Sequence, residues 1–379
     1  MKIGLYSVND KAMFDALNQT KVTHEDLKSL FFKRGTIISK ETKRKALALD
    51  FSKNYHGYYD FEYLSEILGS VGRREKLSIN IVNTPIKKDE MEANLKSICE
   101  DLQKGGDVTN IIFTEKGFDV SVKYVKLDYT MSEFRQSSSR EAKIQIEIND
   151  AGEYITRFPQ NSKARDFNDR LIEKINEDNQ EVQASLEEIS LETVKDHNER
   201  SNFFKQLIIS MPNYKCIDVS DVYVTHPILE AKKHPKKDNE PDGDGDGDGD
   251  GDGDDTVIDT GYHISKASLK GRGVLESREL KELLSKGFYI TKIVWISVLE
   301  QFKDSDKYEF EAQFMDPENC KLFSYLVRGL YKYKKINDYT YRQNVDKEKE
   351  VVLLLSIENT AREISGKIVS SHIVEVITE

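Results

Sequence analysis

Cysteine is scarce in this chain of 379 residues: Cys99, Cys216 and Cys320 are the only three. An odd set this widely spaced excludes a disulfide framework. With no CxxC pair and no Cys/His cluster, it also excludes a zinc site built from closely spaced ligands. The three read as reduced thiols, as in a cytoplasmic protein. Long apolar runs are missing as well. No stretch approaches the roughly 20 apolar residues that a membrane helix needs. The most apolar segment, Val351 to Ile357, has the length of a strand. The opening MKIGLYSVNDKAMF lacks the apolar centre of a signal peptide. The expectation is a cytoplasmic protein with no membrane partner.

Chemistry-bearing motifs are equally sparse. There is no GxSxG, no Walker motif and no HExxH. The seven histidines, His24, His56, His197, His226, His234, His263 and His372, are scattered, and none pair at metal-ligand spacing. No cofactor and no metal centre is expected. Asp196-His197-Asn198 precedes a helical pattern and reads as a cap.

Charge is what the chain has in quantity. Asp, Glu, Lys and Arg make up 32% of it, and the formal net charge is −11. Eight of the acidic residues lie between Asp242 and Asp255, and without them the balance is near −3. A remainder this close to neutral has no general attraction for DNA or for a membrane surface, so any nucleic-acid surface must be local. The chain also has 18 Tyr and 17 Phe, a supply that disordered chains lack.

The pattern predicts an α+β protein. A small helical N-terminal unit, 1–70, is followed by an α+β domain, 71–230, a disordered Asp-Gly linker, 231–260, and a second α+β domain, 261–379, with long antiparallel strands. In the first unit Met13, Phe14 and Leu17 share a helix face. Thr23 is an N-cap with acidic residues in the turn after it, Gly35 is the stop, and Ser39 starts the next helix, with Ala46, Leu47 and Leu49 inward. Between Asp89 and Lys104, Met91, Leu95, Ile98 and Leu102 recur at helical spacing. The last domain reads as strands at Tyr289–Leu299, Tyr308–Phe314, Phe323–Tyr333 and Glu350–Ile357, with a closing helix near Thr360–His372. The alternating Asp-Gly run lacks the terminal Glu and the flanking helices of a calcium loop, and reads as a solvated tether. Lys232 to Lys237 reads as a basic patch bordering it, and Gly271-Arg272-Gly273 as a turn.

Basic residues concentrate in one place. Lys28, Lys33, Arg34, Lys40, Lys43, Arg44, Lys45 and Lys53 face only Glu41 and Asp50 over the same stretch. The layout LKSLFFKRGTIISKETKRKALALDF, within residues 24–68, resembles a SAP-type helix–extension–helix module. That resemblance implies two helices and a short extended link gripping a DNA backbone. The residues alone point the same way: a helix N-terminus at Ser39 offers N–H groups to an anion, and Lys40, Lys43 and Arg44 surround it. Lys33, Arg34, Lys40, Lys43, Arg44 and Lys45 are therefore the candidate nucleic-acid ligands. A solvated basic face, or a docking surface for an acidic partner, fits the same residues.

A second set, Asp128, Glu141 and Lys143, is the candidate for catalysis. A metal-dependent nuclease of the PD-(D/E)xK kind needs an Asp at the end of one strand and a Glu and a Lys two apart on the next. The spacing permits that arrangement, and a solvated strand face with alternating polar residues permits it equally. The leading expectation is a non-enzymatic binding or adaptor protein that contacts DNA, RNA or an acidic protein partner through the basic helices. A metal-dependent nuclease is the alternative. A third reading, a component of a microbial defence system acting by protein contact, rests on no particular residue.

Overall fold

Four short helices come first, and their caps explain where they begin. In α1, Asp10–Leu17, the Asn9 side chain accepts the Ala12 N–H at 2.8 Å. In α2, His24–Lys33, the Thr23 hydroxyl accepts the Asp26 N–H at 3.2 Å, and the Asp26 carboxylate accepts the Thr23 N–H at 2.7 Å, closing a reciprocal capping box. The end of α2 is equally specified. The Thr36 N–H reaches the Phe31 carbonyl and the Gly35 N–H reaches that of Phe32, the Schellman pattern, which requires the left-handed φ of +73° found at Gly35. Helix α3, Arg44–Ser52, starts later than the sequence predicts. The Ser39 hydroxyl accepts the Glu41 N–H instead of capping a helix, so residues 39–43 turn rather than coil. Ala46 and Leu49, expected inward, are exposed, while Leu47, Ala48 and Phe51 are buried. Helix α4 is Tyr58–Gly69. Leu17, Leu27, Leu30, Leu47, Phe51 and Leu64 form the shared core.

The computed structural model describes residues 8–69, 74–178, 184–226, 265–301, 304–336 and 338–378. It is an α+β structure whose contacts divide it into two units, 1–187 and 188–379. The expected Asp-Gly linker, the Lys232–Lys237 patch and His234 and His263 lie outside the described residues.

In the first unit the helices are followed by β1 (Leu77–Asn83), α5 (Lys88–Lys104), β2 (Val108–Thr114), β3 (Gly117–Leu127), β4 (Ser137–Ile148), β5 (Tyr154–Pro159), α6 (Ser162–Asp178) and β6 (Ser185–Glu188). The first five strands form an antiparallel sheet in the order β2-β3-β4-β5-β1. Alternate residues, Phe118, Val120 and Val122 on β3 and Ala142, Ile144 and Ile146 on β4, face a core closed by α5 and α6. Phe134, in the turn between β3 and β4, packs into the four-helix core with its ring 5.2 Å from Phe61, so the helices and this sheet are one body.

The second unit contains α7 (His197–Ile209), β7 (Tyr214–Thr225), β8 (Lys266–Lys270), α8 (Arg278–Ser285), β9 (Tyr289–Leu299), β10 (Lys307–Asp316), β11 (Lys321–Tyr331), the short β12 (Tyr333–Lys335) and β13 (Asp338–Tyr339), and α9 (Lys347–Thr378). Its sheet runs β11-β10-β9-β7-β8, all antiparallel. Helix α7 and strand β7, grouped by sequence with residues 71–230, pack and pair with β9 and so belong to this unit. Asp196 caps α7 through the Asn198 N–H, as expected. The segment expected as a strand at Glu350–Ile357 is instead the start of the 32-residue α9. Leu353, Ile357, Ala361, Ile364 and Ile368 are its buried apolar residues, spaced by three or four, which is a helical stripe. A run of consecutive apolar residues hides that period. Among the described residues no helix is long and apolar enough to cross a membrane.

The β2–β3 hairpin depends on one missing side chain. A Cβ on Gly117 would lie 1.9 Å from the Ile146 carbonyl oxygen on the neighbouring strand. Gly117→Ala should therefore cost about 1–3 kcal/mol or more in urea unfolding. An unchanged midpoint would mean the β3–β4 spacing is not as tight as described.

Candidate functional site

The eight basic residues expected to act together fall into two groups at opposite ends of α3. Arg34, just past the end of α2, is committed to the fold. Its Nη2 donates to Asp60 Oδ2 at 2.6 Å and lies 3.2 Å from His56 Nδ1, and its guanidinium sits 4.3 Å above the Phe51 ring. The same Asp60 oxygen accepts the Gly57 N–H at 3.1 Å, so one carboxylate holds Arg34 and the turn before α4 together. Arg44, at the other end, is also structural. Its Nη2 donates to the carbonyls of Leu17, at 3.1 Å, and of Gln19. These groups terminate α1, and a cation there suits the helix dipole. Neither arginine is left to serve as the phosphate ligand that the sequence reading makes of it.

Lys28 is paired with Glu25 at 2.7 Å. The exposed Lys40, Lys43, Lys45 and Lys53 have no carboxylate partner among the described residues. Lys33 is likewise exposed, its Nζ 4.1 Å from the centre of the Tyr63 ring. Lys40, Lys43 and Lys45 cluster at the start of α3. Lys53 and Lys33 belong to its far end, about 12 Å away along the helix.

Asp128, Glu141 and Lys143 do not converge. The Asp128 N–H donates to the Gln136 carbonyl at 2.7 Å, while Glu141 is paired with Lys123 and Lys143 with Ser121 further along the ladder. Five residues of strand separate Gln136 from Glu141, about 17 Å, beyond the reach of any shared ion. Asp128 instead accepts the Thr130 hydroxyl at 2.6 Å and the Thr130 N–H at 3.1 Å, and these bonds hold its carboxyl below the usual range. Glu141 and Lys143 are exposed and 3.7 Å apart on the face opposite Ala142 and Ile144. They line a shallow depression with Glu75, Arg140 and Pro159. Among the described residues no three His, Cys, Asp or Glu side chains are placed to hold a metal ion. The Gly271-Arg272-Gly273 segment is a turn, with φ of +66° at Gly273.

The three cysteines are unpaired. Burial pushes the Cys216 thiol up to about 11 and the Cys320 thiol up to about 12, so neither is a ready nucleophile.

The densest ionic network lies on one face of the second unit's sheet. Lys292 Nζ meets Glu311 Oε1 at 2.8 Å, and Arg342 Nη1 meets Glu309 Oε2 at 2.7 Å. Arg328 Nε stands 3.5 Å from Glu309 and 3.6 Å from Glu311. Beside it, the Ser268 hydrogen bond and the ammoniums of Lys292 and Lys270 hold the Tyr223 phenol below its usual range. Every carboxylate here has a cation within reach, so the network balances itself and serves to hold adjacent strands in register. Sequence did not flag it, because the partners lie on strands distant in sequence.

Sequence reasoning also missed the exposed aromatics beside Arg34: Phe32, Tyr55, Tyr58 and Tyr59. The tyrosine density of YHGYYDFEY was the available signal. Neither a protein-family model nor a curated protein matches this chain.

Glu311 is almost fully buried, so removing its nearest cation leaves it with the more distant Arg328, 3.6 Å away and shared with Glu309. Lys292→Met should cost about 3 kcal/mol in denaturant unfolding, and Lys292→Met with Glu311→Leu should be more stable than the single variant. A double variant less stable than Lys292→Met would contradict the self-balanced network.

Proposed function

We propose that the protein is a non-enzymatic nucleic-acid-binding module that works through its N-terminal helices. The observation that carries this reading is the set of cations without partners: Lys40, Lys43, Lys45 and Lys53 stand exposed within 14 residues. Other surface lysines of the same unit are paired with carboxylates, Lys28 with Glu25, Lys96 with Glu92 and Lys104 with Asp101, and those that are not, such as Lys11, Lys87, Lys116 and Lys123, are spread more thinly along the chain. An ammonium without a carboxylate is free to displace counterions from a phosphate backbone, and that displacement supplies most of the affinity in sequence-independent binding. The order helix, extended link, helix that gives residues 24–68 their SAP resemblance supports the same reading. Because Arg34 and Arg44 hold the helices together, the lysines carry the binding and the arginines carry the frame. The distance of Asp128 from Glu141 and Lys143 gives the nuclease alternative no support from these three residues.

The test is a binding titration of a labelled oligonucleotide by fluorescence anisotropy. With four phosphate contacts, affinity should fall by about 50-fold or more between 50 and 200 mM salt. Replacing Lys40, Lys43, Lys45 and Lys53 together by Gln should abolish most of that salt dependence without lowering thermal stability. Absence of oligonucleotide binding by the intact protein at low salt would overturn the proposal.

A further inference from the structure

The cationic surface is accompanied by something that phosphate binding alone does not need. Four of the seven large aromatic side chains exposed among the described residues fall between 32 and 59. Tyr55 is fully exposed, Tyr59 is 83% exposed, Phe32 75% and Tyr58 68%. Isolated exposed tyrosines are ordinary, but four in one place on a small helical unit form a surface of a defined kind.

The fold joins the segments that carry the four. Arg34 ties the end of α2 to the segment that precedes α4, through His56 and Asp60, and the His56 ring lies 5.2 Å from that of Phe51 in α3. Phe32 and Lys33 come directly before the arginine. Lys53, Tyr55, Tyr58 and Tyr59 flank the two residues it holds. The rings of Tyr58 and Tyr59 are 6.5 Å apart and steeply inclined. One end of the helical unit therefore carries exposed aromatics on segments tied together by part-buried hydrogen bonds, and the same segments carry Lys53 and Lys33, the latter with its ammonium 4.1 Å from the centre of the Tyr63 ring.

We infer that this end binds single-stranded nucleic acid by stacking unpaired bases on Tyr55, Tyr58 and Tyr59. The inference rests on the nucleic-acid reading above and adds the class of ligand. In a duplex the base faces are covered by neighbouring bases, and a protein meets only groove edges and phosphates. In a single strand the faces are open, and aromatic platforms beside cations hold base and backbone together. Charge complementarity selects this ligand, since Lys33 and Lys53, on the segments that carry the rings, have no carboxylate partner among the described residues. The lysines at the start of α3, about 12 Å away along that helix, lie within the few nucleotides that such a site spans. Stacking tolerates any base, so the binding has little sequence preference.

The experiment uses the full chain and three labelled probes of one mixed 20-nucleotide sequence: single-stranded DNA, single-stranded RNA and the DNA duplex, at 50 mM salt. The expected result is at least tenfold tighter binding of the single strands than of the duplex. The triple variant Tyr55→Ala, Tyr58→Ala, Tyr59→Ala should bind the single strands at least tenfold more weakly and the duplex as before. Because the rings are exposed, its melting temperature should match the parent's. A second variant with all three replaced by Phe should retain the parent's single-strand affinity, which separates a role of the ring from a role of the hydroxyl. Equal or tighter duplex binding, or no loss in the Ala variant, overturns the stacking inference. The basic surface then still stands if the Lys→Gln variant loses affinity. Failure of every probe to bind overturns the nucleic-acid reading itself, and a protein partner is then the ligand of these tyrosines.

Discussion

The arrangement of the N-terminal helices depends on one bonded group: the Arg34 guanidinium, held by Asp60 and His56 and stacked over Phe51. It joins α2, α3 and the start of α4 above the core they share. Each of these is only 9 to 12 residues long, a length at which an isolated helix is marginal in water. A charge-assisted pair that is half-buried and shared with a backbone N–H is stronger than an exposed ion pair. Its effect is to fix the segment from Lys53 to Asp60, which carries the exposed tyrosines. A chain that leaves large aromatic surface in water gains stability from something nearby, and here the gain comes from residues beneath that surface.

The two arginines show how far charge can be read from sequence. Arg34 and Arg44 are indistinguishable from their lysine neighbours when positive residues are counted along the chain. In the fold they are separated by geometry. A planar guanidinium with several fixed donors can satisfy two carbonyls, or a carboxylate and a ring, at once. Apart from Lys28, which pairs with Glu25, the lysines have no carboxylate partner among the described residues and remain on the surface. The basic stretch therefore divides into a frame and a face, and the face itself is split between the two ends of α3.

Local signals were legible where the physics is local. The N-cap at Thr23, the stop at Gly35, the stripe of Met91, Leu95, Ile98 and Leu102, and the long strands at Tyr289–Leu299 and Tyr308–Phe314 all appear as the sequence predicts. The α+β class follows from them. Failures came where two local structures compete or where contacts are distant. Ser39 has a capping side chain but bonds into a turn. Val351 to Ile357 is apolar enough for a strand, and becomes helical because its buried residues share a stripe with Ala361 and Ile364. Asp128, Glu141 and Lys143 have a workable spacing in sequence, yet the register of β3 on β4 sets Asp128 far from the other two. The paired charges Lys292 and Glu311 lie on separate strands, and nothing in their neighbours announces the pair.

The claim at the centre of this account is that the ligand surface runs over residues 32 to 60 and nowhere else. Hydrogen–deuterium exchange of the full chain, with and without a saturating single-stranded oligonucleotide, measures it directly. The account requires new protection at the end of α2, the link before α3 and the 53–60 segment, with exchange in the second unit's sheet unchanged. Protection on the sheet face carrying Glu309, Glu311 and Arg328, with none between residues 32 and 60, would contradict it.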